Sequence, residues 1–393
     1  MSDSGLTTKD AKDTKKLAQG WEYYILKDVV RKISINNDVK IKQKDYLANG
    51  ILPIIDQGNS LIGGYSNDEA KKINCKLPVI VFGDHTRIVK YITYDFCAGA
   101  DGIKILSIPH AFNSRFFYYC IVFLTTKITN RGYARHYQYL EKESIPCPSL
   151  PEQQRIAARL DAFFAELDAG VAALKRAKVQ MSVYRAVILN KEFNSEGIEW
   201  VKIADISNGI EYGTSSKSEK TGKVIVLRMG NIQNGKFIYD ELVYTNNNEE
   251  IEKYSLHKND VLFNRTNSPE LVGKTAIYKG EKPAIFAGYL MRINQKENIN
   301  ADYLNYFMNS PFAKQQCNSA KTDGVNQSNI NASKLSQFLF PLCSLQKQQK
   351  IVTNIETQFT ACDATEKLID DSLAKAIMLK QSILKKAFRG ELV

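Results

Sequence analysis

Two short runs close apolar stretches with side chains suited to reading nucleobases. VIVFGDHTR, residues 79–87, ends on Asp84, His85, Thr86 and Arg87, and DVLFNRTNS, residues 260–268, brings together Asn264, Arg265, Thr266 and Asn267. Arginine offers a planar fork of N–H donors that matches the two acceptors on the edge of guanine, and asparagine or glutamine matches adenine in the same two-point way. Two glycine loops further along carry the same residue types: Arg131, Arg135 and His136 around Gly132, and Asn326, Gln327 and Asn329 around Gly324. Lys217, Lys220 and Lys223 are expected to meet phosphates, which position a protein without specifying sequence. Each of these residues could instead be a solvated loop residue or a helix cap. Tyr118, Tyr119, Tyr303 and Tyr306 could stack on bases, but at helical spacing they are expected in the core.

Catalytic patterns are missing. SPELVGKT, residues 268–275, resembles a phosphate-binding loop, but Ser268 stands where the first glycine must let the backbone wrap a phosphate. There is no Asn-Pro-Pro-Tyr-like string to hold a flipped adenine and no glycine-rich turn of a cofactor site. His85, His110, His136 and His257 lie far apart with no cysteine or carboxylate at ligand spacing, so no metal site is expected. Asp38 and Lys40 form an acidic-x-lysine pair with nothing around it that suggests a nuclease centre.

The net charge of +11 over 393 residues favours a polyanionic partner, because cations that neutralise phosphates release condensed counterions. The cysteines, Cys75, Cys97, Cys120, Cys147, Cys317, Cys343 and Cys362, are scattered singly, which fits free thiols in a reducing cytoplasm. The opening MSDSGLTTKDAKDTKK is polar, without the apolar run of a signal peptide or membrane span, and residues 1–18 read as a flexible tail.

A long internal repeat organises the rest. IPCPSLPEQQRI, residues 145–156, aligns without a gap on FPLCSLQKQQKI, residues 340–351, so that Pro146, Gln153 and Gln154 fall on Pro341, Gln348 and Gln349. The register continues through Phe164 on Phe359 and Asp168 on Asp363 to Phe193 on Phe388. Weaker matches precede each copy: GWEYYILKDV with IEWVKIADIS, each taken as a tryptophan-bearing strand, then FCAGADG with FAGYLMR, then an aromatic helix candidate before each glycine loop. One scaffold used twice with different loops is the expected outcome.

Both repeated segments read as long helices. Leu160, Leu167, Leu174, Met181 and Ile188 recur every seventh residue, with Phe164, Val171, Ala177 and Tyr184 between them; Ile355, Cys362, Ile369, Ala376 and Ile383 do the same, supported by Phe359, Leu368, Leu373 and Leu379. The spacing predicts a helix pair with a narrow apolar seam; two independent amphipathic helices are the alternative. Either orientation satisfies the spacing, and the antiparallel one gives pseudo-two-fold symmetry. Roughly 39 residues would make a rod of about 58 Å, longer than the ~34 Å of one B-DNA turn.

SLPEQQRIAARLDAFFAELDA, SLQKQQKIVTNIETQFTACDA and the ending LKKAFRGELV closely resemble the conserved regions of the specificity subunits of type I restriction-modification enzymes. The two tryptophan-bearing openings and DVLFNRTNSPELVGKTAIY resemble parts of that family's target recognition domains. The resemblance implies an α+β protein: two α/β target recognition domains, at 19–150 and 194–345, separated by an antiparallel coiled-coil spacer of two helices, 151–193 and 346–393. It implies a non-catalytic, cytoplasmic subunit that reads a two-part target in double-stranded DNA. Two modification subunits would bind S-adenosylmethionine and methylate adenine, and restriction subunits would use ATP and Mg. An enzyme with its own methyltransferase or nuclease, and a purely structural coiled-coil scaffold, are the rival readings.

Overall fold

The computed structural model describes residues 20–99, 102–325 and 327–392. The expected tail, residues 1–18, and Asn326 lie outside the described residues. The chain divides into two compact units, residues 1–174 with 371–393, and residues 175–370. Each unit takes one head together with one end of each long helix.

In the first unit, β1 (Glu22–Ile25) runs into the short α1 (Leu26–Val29). An antiparallel sheet of order β2-β8-β5-β6 is formed by Lys32–Ile33, Ile103–Ser107, Val79–Gly83 and Val89–Ile92. A smaller sheet, β4-β3-β7, joins Gly64–Ser66, Leu52–Ile55 and Cys97–Ala98, with β3 and β7 parallel. β5 has no exposed residue, as a strand covered on both faces should. The aromatic helix α2 (Ser114–Lys127) is capped by Asn113, whose side chain accepts from the N–H groups of Arg115 and Phe116. After α3 (Tyr137–Leu140), β9 (Ser144–Cys147) pairs antiparallel with β1, Tyr23 facing Pro146. The first long helix, α4, spans Leu150–Phe193.

The second unit repeats this plan with additions. β10 (Glu199–Lys202), followed by α5 (Ile203–Ile206), pairs with β23 (Leu339–Leu342), Trp200 facing Pro341. The first tryptophan departs from the expected alignment: Trp21 stands one residue ahead of β1, where its indole N–H donates to Glu152 at 3.1 Å. The central sheet, of order β11-β20-β16-β18-β14-β13, consists of Ser207–Tyr212, Leu290–Gln295, Val261–Asn264, Thr275–Ile277, Lys236–Phe237 and Ile232–Gln233. In a second sheet, β12 (Val224–Leu227) pairs antiparallel with β15 (Val243–Thr245) and parallel with β19 (Ala284–Phe286), as β3 does with β4 and β7. β17 (Thr266–Asn267), β21 (Thr322–Asp323) and β22 (Ser328–Asn329) form a small third sheet. The helices are α6 (Asn248–Tyr254), α7 (Ala301–Met308), α8 (Pro311–Ala320), α9 (Ala332–Ser336) and the second long helix, α10 (Leu345–Ala387).

Within each unit the long helices run antiparallel. In the first, Arg159 donates to the Leu392 carbonyl and Lys380 pairs with Asp168 at 3.2 Å, so the partner's number falls as the α4 number rises. In the second, Lys178 pairs with Asp370 and Arg185 with Asp363. The pairs are copies: Arg185 lies over the Phe359 ring at 4.9 Å and Lys380 over the Phe164 ring at 4.8 Å, while Tyr306 meets Phe359 edge-on as Tyr119 meets Phe164. These cations correct the expected seam. Tyr184, Leu368 and Leu379 are exposed, whereas Arg185 and Lys380 beside them are half-buried and hold their charges over an aromatic face.

The repeated glutamines have a shared task. Gln153 and Gln348 are both 0% exposed. Gln153 accepts from the Asn113 N–H at 2.7 Å and donates to the Ala111 and Pro148 carbonyls. Gln348 accepts from the Asn300 N–H at 2.8 Å and donates to the Asn298 and Cys343 carbonyls. Each amide therefore ties a long helix to the N-cap of its unit's aromatic helix, Asn113 for α2 and Asn300 for α7. Truncation would orphan three backbone groups. Gln153→Ala and Gln348→Ala are each expected to cost about 1–3 kcal/mol, and the exposed neighbour Gln154→Ala next to nothing; urea midpoints of the three variants give the comparison.

Candidate nucleic-acid interface

In the first unit, the chain leaving β5 turns sharply: the Arg87 N–H donates to the Gly83 carbonyl at 2.7 Å, and Arg87 takes a left-handed conformation at φ 61°. This turn is joined to the Gly132 loop. The Asp84 carbonyl accepts from the His136 N–H and faces its Nδ1, the Asp84 carboxylate accepts from the Tyr137 N–H at 2.8 Å, and His85 Nδ1 lies 3.2 Å from the Ala134 carbonyl. His85 stacks flat on Tyr133, with ring centroids 4.1 Å apart. Tyr133 is 80% exposed, and Arg131 and Arg135 beside it are exposed too.

In the second unit, the turn after β16 is joined to the Gly324 loop by strand pairing, Thr266 facing Asn329. The Arg265 guanidinium lies 4.8 Å over the Tyr212 ring, and the Tyr212 hydroxyl is fixed by the Ala332 N–H at 2.9 Å. Asn329 donates to the Thr266 hydroxyl at 2.7 Å and turns its Oδ1 to Arg265.

The two arrangements are equivalent by their backbone bonds. The Arg265 N–H donates to the Tyr289 carbonyl and its own carbonyl accepts from Ile330; the Asp84 N–H donates to the Gly102 carbonyl and its carbonyl accepts from His136. Arg265 thus occupies in the second unit the place that Asp84 occupies in the first. Sequence reasoning picked two separated segments in each half, and the structure brings each pair together.

Four of the expected contacts are buried. Asp84 is 3% exposed, His136 0%, Asn264 0% and Thr266 8%. They hold the turns together, and Lys104 faces the Asp84 carboxylate at 3.6 Å. Arg87 is half-buried and donates to the Ile128 carbonyl; Thr86 is exposed and donates to the Gln57 carbonyl. Asn267 and Asn329 are half-buried, and Gln327 is exposed. Lys217, Lys220 and Lys223 are exposed on the chain ahead of β12, apart from the reading turns in sequence. Tyr119 and Tyr303 are buried and Tyr118 and Tyr306 half-buried, as core aromatics.

Sequence reasoning missed Gln57, Tyr133, Tyr212 and Tyr289. Gln57 accepts from the His85 N–H, but it stands 28 residues away with no pattern to mark it. Tyr133 carried a signal, an aromatic residue between two arginines in a glycine loop. Next to the first unit's sheet, α2 is fastened to α4 by Arg115 and Tyr119, both hydrogen-bonded to Asp161. Burial pushes the Asp161 carboxyl up, but those two hydrogen bonds outweigh it and hold it below the usual carboxylate range.

Among the described residues, no group of three His, Cys, Asp or Glu could hold a metal ion, and no helix is long and apolar enough to cross a membrane. The family model for the type I restriction modification DNA specificity domain matches residues 18–174 and again 195–374. The chain belongs to that family. The doubled match falls on the doubled architecture. Among relatives, the specificity subunit of the type I restriction enzyme StySPI from Salmonella potsdam is 26% identical over 427 aligned residues, covering 96% of this chain and 90% of that protein. The EcoR124I/EcoR124II specificity subunit from Escherichia coli is 27% identical, covering 87% of this chain and 86% of that one. A chain from a solved structure of type I R-M complex assembly and conformational transition matches with a TM-score of 0.70 at 16% identity, over 96% of this chain and all of that one. The HsdS subunit from Thermoanaerobacter tengcongensis matches at 0.52 and 15% identity, over 97% and 99%. These likenesses establish the fold, and membership of the specificity family makes DNA target recognition the coarse function.

Proposed function

We propose that this chain reads a two-part target in double-stranded DNA, one part with each unit, and presents adenines in it to two modification subunits. The observation that carries the reading is the equivalence of the two turns: the same backbone bonds frame Asp84, His85 and Thr86 in one unit and Arg265, Thr266 and Asn267 in the other. A duplicated frame with different side chains suits two different half-sites read by one scaffold. The chain itself is taken as non-catalytic and cytoplasmic, with S-adenosylmethionine held by the modification subunits and ATP with Mg by restriction subunits that join them. Val179, Val183 and Val187, 67%, 59% and 53% exposed and one helical turn apart on α4, give a modification subunit an apolar strip to cover.

Mapping methylated adenines in DNA from cells that express the chain with its modification subunits tests the reading. Two short conserved blocks separated by a gap of constant length and free sequence are expected. A single uninterrupted motif, or methylation that persists when the chain is deleted, would sink it.

A further inference from the structure

We propose that the half-site read by the second unit contains a guanine, and that Arg265 is the side chain that reads it. The inference rests on the two-part reading above and goes further by naming the base. Arg265 is half-buried, yet its donors are barely used: Nη1 is 3.4 Å from the Gly288 carbonyl, Nη2 is 3.5 Å from Asn329 Oδ1, and Nε is buried with no partner. Of the other half-buried arginines, Arg115, Arg185 and Arg292 each hold a carboxylate, at Asp161, at Asp363 and Glu366, and at Glu211 and Asp260, while Arg87 and Arg228 each donate to a carbonyl at 2.8 and 3.0 Å. Among the described residues Arg265 is in no ion pair. The adjoining Asn264 is also buried, with an unpartnered Nδ2. Nη1 and Nη2, the ends of the Arg265 fork, are therefore held only by two long contacts.

The guanidinium is also held in a plane. Tyr212 supports one face, the Ala332 N–H fixes Tyr212, and Thr266 fixes the amide of Asn329 that faces Nη2. A phosphate contact needs charge and little orientation, so a lysine would serve it. A fixed fork of donors with no acceptor fits one base edge, that of guanine, where O6 and N7 both accept. Adenine and cytosine each present an amino donor that a guanidinium cannot accept from, and thymine presents one acceptor. Asp84 fills the same place in the first unit, so the two units need not share this base.

The test is selection from a pool of randomised duplexes by the full chain co-purified with its modification subunits, for wild type, Arg265→Ala and Arg265→Lys. Wild type is expected to enrich a two-part motif with guanine in the block assigned to the second unit. Arg265→Ala should enrich the same first block and lose the preference at that guanine, with affinity for the original duplex down about tenfold or more. Arg265→Lys should weaken the preference, because an ammonium lacks the fixed fork, while keeping affinity for random DNA. The unchanged first block shows in the same experiment that the variant has folded. A second block without guanine overturns the inference, as does an Arg265→Ala variant that weakens every duplex equally and is restored by lysine. A wild-type pool with no two-part motif overturns the two-part reading itself.

Discussion

Phe388→Ala is expected to remove about 3–5 kcal/mol from the first unit, although Phe388 lies 241 positions beyond the last residue of β9. Phe388 is 5% exposed and packs on Phe116 and Phe123 of α2, with ring centroids 5.5 and 5.0 Å away. Its counterpart in the repeat, Phe193, is 0% exposed and packs on Tyr303 and Phe307 of α7 at 5.2 and 5.4 Å. The end of each long helix therefore completes the core of the unit that the other long helix enters, because antiparallel pairing brings the end of one beside the start of the other. Phe193→Ala should cost the second unit a similar amount. Hydrogen exchange followed along the chain in moderate urea separates the two. Phe388→Ala should raise exchange in residues 20–147 and Phe193→Ala in residues 199–342; both variants loosening the same unit would refute the crossed arrangement.

Much of this is legible in the amino-acid sequence. The gapless register that sets Gln153 on Gln348 and Phe193 on Phe388 marks positions that make the same bonds in each unit. The seven-residue spacing located the seam because Leu160, Ile188, Ile355, Cys362 and Ile369 are buried. It failed at Tyr184, Leu368 and Leu379, where counting apolar residues overlooks that Arg185 or Lys380 can lie half-buried over an aromatic ring. The reading turns were found by their position after an apolar strand, but which side chains face outward was not. Asp84 and His136 look like contacts in sequence and bond each other's backbone in the fold. Burial there is decided by partners some 50 residues away, and no local pattern encodes it. Tyr212, 53 positions before Arg265, was invisible for the same reason.

Exchanging residues 20–145 for the matching segment of a relative with a different target is expected to replace one block of the recognition motif completely and leave the other block unaltered. The hydrophobic clusters support it: those built from residues 24–164 and 384–388 belong to the first unit, and those built from 188–362 to the second. The junction is also tolerant of sequence. Gln153 grips α2 through the Ala111 carbonyl and the Asn113 N–H, which are backbone groups that any replacement segment supplies if its helix starts at the same point. β9, at the boundary, is held to β1 by a four-residue antiparallel ladder, again by backbone. The side-chain links are the exposed part of the risk: Arg115 to Asp161 on α4, and Phe116 to Phe388. A segment that keeps an arginine and an aromatic residue at those two positions should give a chimera that folds as well as wild type. Mapped adenine methylation provides the readout. A chimera whose two blocks both change, or whose gap length changes with them, would mean that the halves do not read independently.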